Sequence, residues 1–455
     1  MRIHFIAIGG AAMHSLAIAL HRKGYHVTGS DDEIFNPARD RLQSCGLLPE
    51  REGWFPNRIT PDIDAIVLGM HAHDDNPELQ RAKELGITIY SYPEYLYEQS
   101  KHKTRVVVGG SHGKTTTTAM ILHILQSEGI ASDYMVGAQL EAFDNPVRLS
   151  DTAQVMVIEG DEYLTSPIDK TPKFHHYHPH IAVLTGIEWD HVNVFPTFDD
   201  YKLQFSRFID LIEPDGKLFY CADDVVLSEL VAANTRTDIT KTGYTAVPSK
   251  IKPDGTTQVV YPIAPGMNDI IPIKLFGHHN LLNMSAALHV CEALGVDSRK
   301  SLYALSGFKG AANRLQLLKQ NGNTRIFKDF AHAPSKVRAT VHAVREQYPR
   351  QPLVACLELH TYSSLSAHFL PMYKDTMSEA DLSVVYYSEH ALSLKRLPML
   401  DAEQVRQSFA NANIKVYTDS DELYRDLRAM DLNNTNLLMM SSGNFNGIDL
   451  EKIID

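Results

Sequence analysis

Short apolar segments alternate with amphipathic segments along most of the chain. Continuous apolar runs, such as residues 3–8, 65–69 and 106–108, are typical of buried strands. Between them, apolar residues recur every three or four positions, as at 12–23, which is typical of helices that bury one face. This alternation of strands and helices predicts an α/β protein with mostly parallel sheets that are covered by helices on both faces.

Breaks in the alternation divide the chain into three predicted domains. A polar run at 99–103 separates a Rossmann-like domain, 1–102, from a central domain, 103–312, and the last domain, 313–455, is again Rossmann-like. The polar, Gly- and Pro-rich stretch 235–269 predicts a small antiparallel excursion or a long pair of loops. In the last domain we predict strands at 325–328, 353–357, 383–387, 415–417 and 436–440, and helices at 335–346, 367–379, 402–410, 422–430 and 449–454.

The central domain opens with a strand, a glycine-rich turn and a helix at 105–125. The turn ends in Gly113-Lys114-Thr115, which is typical of a phosphate-binding loop: backbone N–H groups surround phosphate oxygens, the lysine bridges the outer phosphates, and the hydroxyl ligates Mg2+. The general pattern has glycine where this chain has Val108, so a glycine-rich turn that caps a helix is the alternative. The predicted phosphate-binding residues are Gly110, Ser111, His112, Gly113, Lys114, Thr115 and Thr116.

Carboxylates follow the next buried strand of this domain, in the segment Glu159-Gly160-Asp161-Glu162. The carboxyl end of a strand beside a phosphate loop is a natural place for the Mg2+ partners of Thr115, and a solvated strand end is the alternative. A third strand leads to His191, which is a metal ligand, a general base or a structural residue. The histidines at 175, 176, 178 and 180 can bind zinc or simply pack, and no cysteine or regular spacing supports zinc.

The first domain opens with a strand, the turn Gly9-Gly10 and a helix, and its second strand ends in Ser30-Asp31. An acidic residue about 20 positions after the glycines is typical of dinucleotide-binding folds. The third glycine of that pattern is missing, because Met13-His14 stands in its place. Two ligands therefore stay open: NAD, which would indicate a dehydrogenase, and another diphosphate bound at the helix N-terminus.

Polar residues mark two further places in the chain. Asn280 and Asn283 lie three apart at the start of a predicted helix and share one face, where Asn280 is either a helix cap or a ligand residue. Arg314 opens the last domain, and Asp329 and His332 follow its first strand. The carboxyl end of such a strand is where open parallel sheets bind ligands.

Composition excludes several classes of function. The net charge of −12 provides no general attraction for nucleic acid. The four cysteines show no C-x-x-C spacing, which argues against a disulfide framework and fits a reducing compartment. The chain shows no signal-peptide pattern and no run of about 18 apolar residues, so we expect a cytoplasmic protein without a membrane partner.

Taken in order along the whole chain, these segments resemble the Mur ligase family, the ATP-dependent amide ligases of peptidoglycan assembly. IGGAAMHSLA with GSD resembles the UDP-sugar domain, GSHGKTTT the ATP loop, and IEGDEY with IEWDH the metal-binding carboxylate and histidine. GHHNLLN is similar to the adenine segment, and ANRL and DFAHAP to the arginine and aspartate of the linker and third domain. The resemblance implies three domains, with ATP and Mg2+ as cofactors.

The resemblance also implies a role for each matching residue. The implied catalytic residues are Lys114, Glu162, His191, Arg314 and Asp329. The implied Mg2+ ligands are Thr115, Glu162 and His191. The implied nucleotide-binding residues, besides the loop, are Asn280, Asn283, Arg314, Asp329 and His332. The implied UDP-sugar-binding residues are Gly9, Gly10, Ala11, Ala12, Met13, Ser30, Asp31 and Asn76.

Two members of the family use UDP-N-acetylmuramate as acceptor, one with L-alanine and the other with the tripeptide L-Ala-γ-D-Glu-meso-diaminopimelate. Three segments are more similar to the tripeptide enzyme, namely DNPELQRAKELGI, EGDEYLTSPIDKTPKF with HYHP, and MMSSGNFNGI. A fourth segment, LELHTYSSL, matches neither enzyme closely. The resemblance implies a tripeptide ligase of peptidoglycan recycling, acting as a monomer or weak homodimer, with L-alanine as the alternative amine. A binding protein in which ATP only drives domain closure is the alternative from another class.

Overall fold

The computed structural model describes residues 1–70, 72–137, 143–166, 168–189, 194–310, 313–411 and 413–454. The described chain forms two compact units. The first unit comprises the described parts of Met1–Trp189, Asn193–Thr245 and Ser285–Ala304, and the second those of Ala246–Met284 and Leu305–Asp455. The domain boundaries at 102 and 312 remain predictions.

A four-stranded parallel sheet opens the first unit. Its elements are, in chain order, β1 (Arg2–Ile6), α1 (Ala11–Arg22), β2 (His26–Ser30), α2 (Ala38–Ser44), β3 (Ala65–Leu68), α3 (Pro77–Glu84), β4 (Thr88–Ser91) and α4 (Tyr92–Ser100). The strand order is β2-β1-β3-β4. β2 pairs with one edge of β1 and β3 with the other, so the strand order reverses at β1. Sheets of this kind bind ligands at such a reversal, here at the carboxyl ends of β1 and β3.

A seven-stranded sheet completes the first unit. Its elements are β5 (Thr104–Gly109), α5 (Lys114–Ser127), β6 (Ser132–Met135), β7 (Val147–Arg148), β8 (Val155–Glu159), β9 (Ile181–Leu184), α6 (Phe198–Asp210), β10 (Lys217–Cys221), α7 (Val225–Ala233) and β11 (Thr240–Tyr244). The order is β11-β10-β9-β5-β8-β6-β7, and only β7 is antiparallel to its neighbour. The central strand β5 is buried between β8 and β9, so the loop that follows it lies beside the ends of both.

The second unit contains two sheets. The first is antiparallel, with β12 (Ser249–Ile251), β13 (Thr257–Ala264) and β14 (Met267–Ile273), which confirms the antiparallel excursion and not the pair of loops. Helices α8 (His278–Ala293) and α9 (Ser298–Ser306) follow in the sequence.

The other sheet of the second unit has six strands. Its elements are β15 (Gln316–Asn321), β16 (Thr324–Asp329), α10 (Pro334–Gln347), β17 (Leu353–Leu359), β18 (Leu382–Tyr387), α11 (Glu389–Leu394), α12 (Ala402–Phe409), β19 (Ile414–Tyr417), α13 (Ser420–Ala429) and β20 (Asn436–Met440). The order is β15-β16-β20-β17-β18-β19, with every pair parallel except β15 with β16.

Two helices predicted for this last sheet are wrong. The segment 367–379 forms only a 3-10 turn at Leu370–Tyr373, because Pro371 has no N–H to donate and Asp375, with φ 60, takes a left-handed conformation. The segment 449–454 likewise forms only a 3-10 turn at Leu450–Lys452. Asp449 makes no capping hydrogen bond at the start of this turn, whereas Ser388 caps α11, a helix of only six residues.

The described helices are short. The longest, α8, has 16 residues. None of the helices in the described ranges is long and apolar enough to cross a membrane.

Candidate active site

Two glycines in the left-handed region shape the loop between β5 and α5. Gly110 has φ 125, and a Cβ there would lie 2.8 Å from the Thr185 amide nitrogen and closer still to the Thr185 hydroxyl. Gly113, with φ 79, precedes α5 and provides no side-chain cap. Gly113 therefore offers no side chain to the first N–H groups of α5, and such a helix start favours phosphate.

The loop that follows β9 holds this glycine loop in place. The Ser111 amide donates to Gly186 O at 3.0 Å, and the Ser111 hydroxyl accepts from the Glu188 amide at 2.8 Å. The Thr185 hydroxyl donates to His112 O. These bonds hold the backbone of the glycine loop against the loop that follows β9.

Lys114, the first residue of α5, is paired with a buried carboxylate. Its ammonium group donates to Glu162 at 2.7 Å and to Gly110 O at 2.6 Å, and the Glu162 side chain is only 1% exposed. The Tyr201 hydroxyl donates to the other oxygen of Glu162 at 3.1 Å. Burial lowers the pKa of Lys114, but the nearby carboxylates, Glu162 above all, outweigh it and raise the pKa above its ordinary value. Lys114 is therefore a fixed cation beside the loop.

Thr115 contacts a different carboxylate from the one that the resemblance implied. Its hydroxyl donates to Glu159 Oε1 at 2.8 Å, and the Gly137 amide donates to Glu159 Oε2 at 2.8 Å. Glu159 ends β8, directly opposite Val108 of β5. In the sequence, Glu159 is marked by its place at the end of an apolar strand. That position alone does not favour Glu159 over Glu162 as the partner of Thr115.

The donor set around Thr115 fits Mg2+. A hydroxyl and carboxylate oxygens are the hard ligands that this ion prefers. Glu159 and Glu162 are both buried, and each lies against a residue of the first turn of α5. His191, the third implied ligand, lies outside the described residues.

Replacing Glu162 by glutamine is expected to raise the Mg2+ concentration needed for half-maximal activity by about tenfold or more. The amide keeps the shape of the side chain but removes a negative charge that would attract the cation. A magnesium titration of the purified variant measures the effect, with Glu159→Gln assayed in parallel. An unchanged titration for Glu162→Gln would remove Glu162 from the proposed metal ligands, and a shift in Glu159→Gln alone would assign that role to Glu159.

The histidines at 175, 176, 178 and 180 have separate partners. His175 Nε2 donates to Gln204 O at 2.8 Å, and burial lowers the pKa of His175 to about 4. His180 Nδ1 accepts from the Arg105 amide at 3.1 Å. Within the part of the chain that the structure describes, no three His, Cys, Asp or Glu side chains are grouped to hold a metal. The contacts of these histidines are those of packing residues.

A second candidate site lies at the carboxyl end of β1. The Gly9 amide donates to Asp31 Oδ2 at 2.7 Å, so the glycine turn is tied to the end of β2. Burial raises the pKa of Asp31 to about 6. Ala11 and Ala12 begin α1 and are exposed, whereas the Met13 side chain is buried. The accessible backbone at the start of α1 therefore lies in the crevice where a diphosphate is expected.

Ser30 and Asn76 use their side chains within the protein. The Ser30 hydroxyl donates to Glu78, and Asn76 Oδ1 accepts from the amides of Glu78 (3.0 Å) and Leu79 (3.1 Å) as the N-cap of α3. Glu78 was not identified from the sequence, where it reads as an ordinary acidic residue in the first turn of a helix.

In the second unit, Arg314 and Asp329 form one cluster. The Arg314 guanidinium lies over the Phe330 ring, 4.6 Å from its centroid. Asp329 accepts from the amides of Leu315 (2.6 Å) and Ala331 (2.7 Å). Burial raises the pKa of Asp329, and the opposing effects of Arg314 and these amides do not cancel it.

Asn280 and Asn283 are both buried in α8. The interpretation of Asn280 as a helix cap is wrong, because α8 already begins at His278 and Asn280 Nδ2 donates to Phe276 O at 2.9 Å. His332 is half-buried and follows β16.

Three family models match the chain in order. "Mur ligase family, catalytic domain" matches residues 2–104, "Mur ligase middle domain" 108–291, and "Mur ligase, glutamate ligase domain" 313–443.

Relatives extend this likeness over most of the chain. A UDP-N-acetylmuramate–L-alanine ligase of Caldanaerobacter subterraneus is 30% identical over 84% of this chain and 82% of the relative. The solved murein peptide ligase of Psychrobacter arcticus is 25% identical, covers 99% of this chain and 97% of its own, and has a TM-score of 0.66. A UDP-N-acetylmuramate:L-alanyl-γ-D-glutamyl-meso-diaminopimelate ligase of Neisseria is 29% identical over 68% of this chain and 98% of its own, with a TM-score of 0.60.

The central strand of the seven-stranded sheet ends in a glycine loop followed by Lys-Thr. This arrangement places the chain among phosphate-loop proteins. More narrowly, the chain belongs to the Mur ligase family, as the sequence resemblance predicted. It is therefore an ATP-dependent, amide-forming ligase of the class that acts in peptidoglycan biosynthesis, and the predicted three-domain α/β architecture is confirmed.

Proposed function

We propose that this ligase joins the tripeptide L-Ala-γ-D-Glu-meso-diaminopimelate to UDP-N-acetylmuramate. The observation that carries the choice of amine is the segment 439–448, MMSSGNFNGI, which is similar to the tripeptide enzyme and unlike the L-alanine enzyme. The likeness to two solved ligases named for this tripeptide or for murein peptide supports it. L-alanine is the second candidate, favoured by the name of the curated relative that is 30% identical.

The proposed chemistry is acyl activation followed by amine attack. A carboxylate and an amine do not condense unaided at neutral pH, so the lactyl carboxylate oxygen first attacks the γ-phosphorus of ATP and ADP leaves. The peptide amine then attacks the acyl carbon, phosphate leaves with the former carboxylate oxygen, and the amine loses a proton. The two steps convert ATP to ADP and phosphate for each amide bond formed.

The proposed roles follow the charges and hydrogen-bond donors of the site. Lys114 and the N–H groups at the start of α5 bind the phosphates, where a preformed cation stabilises charge that develops on the transferring group. Thr115, Glu162 and His191, with Glu159 beside Thr115, would hold Mg2+, which supplies further positive charge to the phosphate oxygens.

The remaining proposed roles concern the two substrates. We assign nucleotide binding to Asn280, Asn283, Arg314, Asp329 and His332. We assign the UDP-sugar to Gly9, Gly10, Ala11, Ala12, Met13, Ser30, Asp31 and Asn76, of which Ser30 and Asn76 already have side-chain partners within the protein. Asp31 already accepts from the Gly9 amide, so the turn that would receive the diphosphate is ordered in advance.

Phosphate release from ATP in the presence of Mg2+ and UDP-N-acetylmuramate tests the proposal. We expect release with the tripeptide and not with L-alanine, because only the first is the proposed amine. UDP-N-acetylglucosamine, which lacks the lactyl carboxylate, is the matched control and should give no release with either amine. Release with L-alanine alone would reverse the choice of amine, and silence with both amines from folded protein would contradict the proposed acceptor or favour an ATP-gated binding protein.

A further inference from the structure

A buried carboxylate accepts a hydrogen bond from Ser30, one of the residues of the candidate UDP-sugar site. Glu78, in the first turn of α3, is fully buried, and one of its oxygens accepts from the Ser30 hydroxyl. The same oxygen lies 3.4 Å from Nε2 of the buried His4. The other oxygen accepts from the Phe55 amide at 2.7 Å. Glu78 therefore joins β1, β2, α3 and the segment around Phe55.

The surroundings of Glu78 favour its ionised form. Burial raises the pKa of Glu78, but hydrogen bonds with His4, Ser30 and the Phe55 amide outweigh it and hold the pKa below its ordinary value. A buried carboxylate is tolerated only where donors satisfy it, and removing its charge leaves those donors with a poorer acceptor.

The partners of Glu78 lead to the glycine turn. Ser30 immediately precedes Asp31, and Phe55 lies two residues after Gly53, whose amide donates to Asp31 O at 2.6 Å. Asp31 Oδ2 accepts from the Gly9 amide at 2.7 Å, and a Cβ on Gly9 would lie only 2.9 Å from that oxygen. A small displacement of Asp31 therefore moves the Gly9 amide.

We propose that Glu78, supported by His4, is a positioning residue for the UDP-sugar substrate. Glu78 holds Ser30 and the backbone of Phe55. The segments around Ser30 and Phe55 hold Asp31 between them, and Asp31 orients the Gly9 amide at the diphosphate end of the site. This inference rests on the proposed binding of UDP-N-acetylmuramate at the start of α1. No part of it requires contact between Glu78 and the substrate.

Glu78→Gln keeps the length of the side chain and removes its charge. Calorimetry with UDP-N-acetylmuramate is expected to show a Kd raised about tenfold or more, because misplacement by a fraction of an ångström at a binding group is amplified in affinity. KM for UDP-N-acetylmuramate should rise in parallel, while kcat at saturation and KM for ATP stay unchanged. A general loss of structure would instead change all of these together.

Glu94→Gln is the matched control. Glu94 also lies in the first turn of a helix of the same sheet, where it accepts from the Ser91 amide and hydroxyl at 2.7 Å each in a capping box. Its contacts do not lead to the glycine turn, so this variant should lose some thermal stability and bind the UDP-sugar normally. Equal losses of affinity in both variants would overturn the inference.

Two further outcomes separate the possible failures. If Glu78→Gln does not fold, His4→Gln tests the same path, and an unchanged Kd in that variant would overturn the inference. Absence of UDP-N-acetylmuramate binding by the unaltered protein would overturn the proposed function itself. Normal binding by both the unaltered protein and Glu78→Gln would overturn only the role of Glu78.

Discussion

Lys114→Ala is expected to lower kcat by on the order of 10²–10³, the usual effect of removing one preorganised electrostatic contact from a dry site. Lys114 is held against Gly110 O and Glu162 before any ligand binds, and its pKa is raised, so it is a permanent cation at the proposed phosphate position. Acceptor-dependent phosphate release at saturating substrates measures the loss. Near-normal turnover would exclude Lys114 from contact with the transferring phosphate.

Two controls separate this effect from damage to the fold. Lys101→Ala removes an exposed lysine that pairs with Glu98 at 2.7 Å, and it should leave turnover unchanged because exposed ion pairs contribute little. Lys114→Ala also leaves the buried Glu162 without its cation, which lowers stability. The double variant with Glu162→Gln also removes the negative charge, so it should recover thermal stability but not activity.

Gly110→Ala is expected to weaken ATP binding by on the order of 10²-fold, because the loop cannot keep its shape. A side chain at φ 125 costs about 1–3 kcal/mol, and its Cβ would collide with the amide and hydroxyl of Thr185. The collision involves backbone, so the loop after β9 must shift as well. Calorimetric titration with ATP measures the change in affinity.

Gly129→Ala is the matched control, since Gly129 also has positive φ, 70, and follows the same helix, α5. A Cβ there meets nothing within 4 Å. It should therefore cost about 1 kcal/mol of stability through the backbone alone and leave ATP affinity unchanged. Normal ATP binding by Gly110→Ala would contradict the role of the loop, and equal losses in both variants would indicate a general effect on stability.

Local patterns predicted most of the strands and helices but overlooked some interruptions. The apolar run at 106–108 became the centre of β5, and the amphipathic stretch at 12–23 became α1 almost residue for residue. The helix predicted at 367–379 did not form, since hydrophobic spacing takes no account of the missing donor at Pro371 or the left-handed Asp375. Breaks of this kind depend on single residues and on backbone angles that periodicity does not contain.

The sequence by itself determined the family, the α/β class and the phosphate loop, because their signals are contiguous or follow a fixed order along the chain. Only the tertiary structure decided that Lys114 meets Glu162, that Thr115 meets Glu159, and that Glu78 meets Ser30, the neighbour of Asp31. Glu159 and Glu162 are only three positions apart, so spacing along the chain does not say which of them faces which partner. The physical reason is that parallel pairing of β5 with β8, and packing of α3 on the first sheet, bring together side chains from distant parts of the chain.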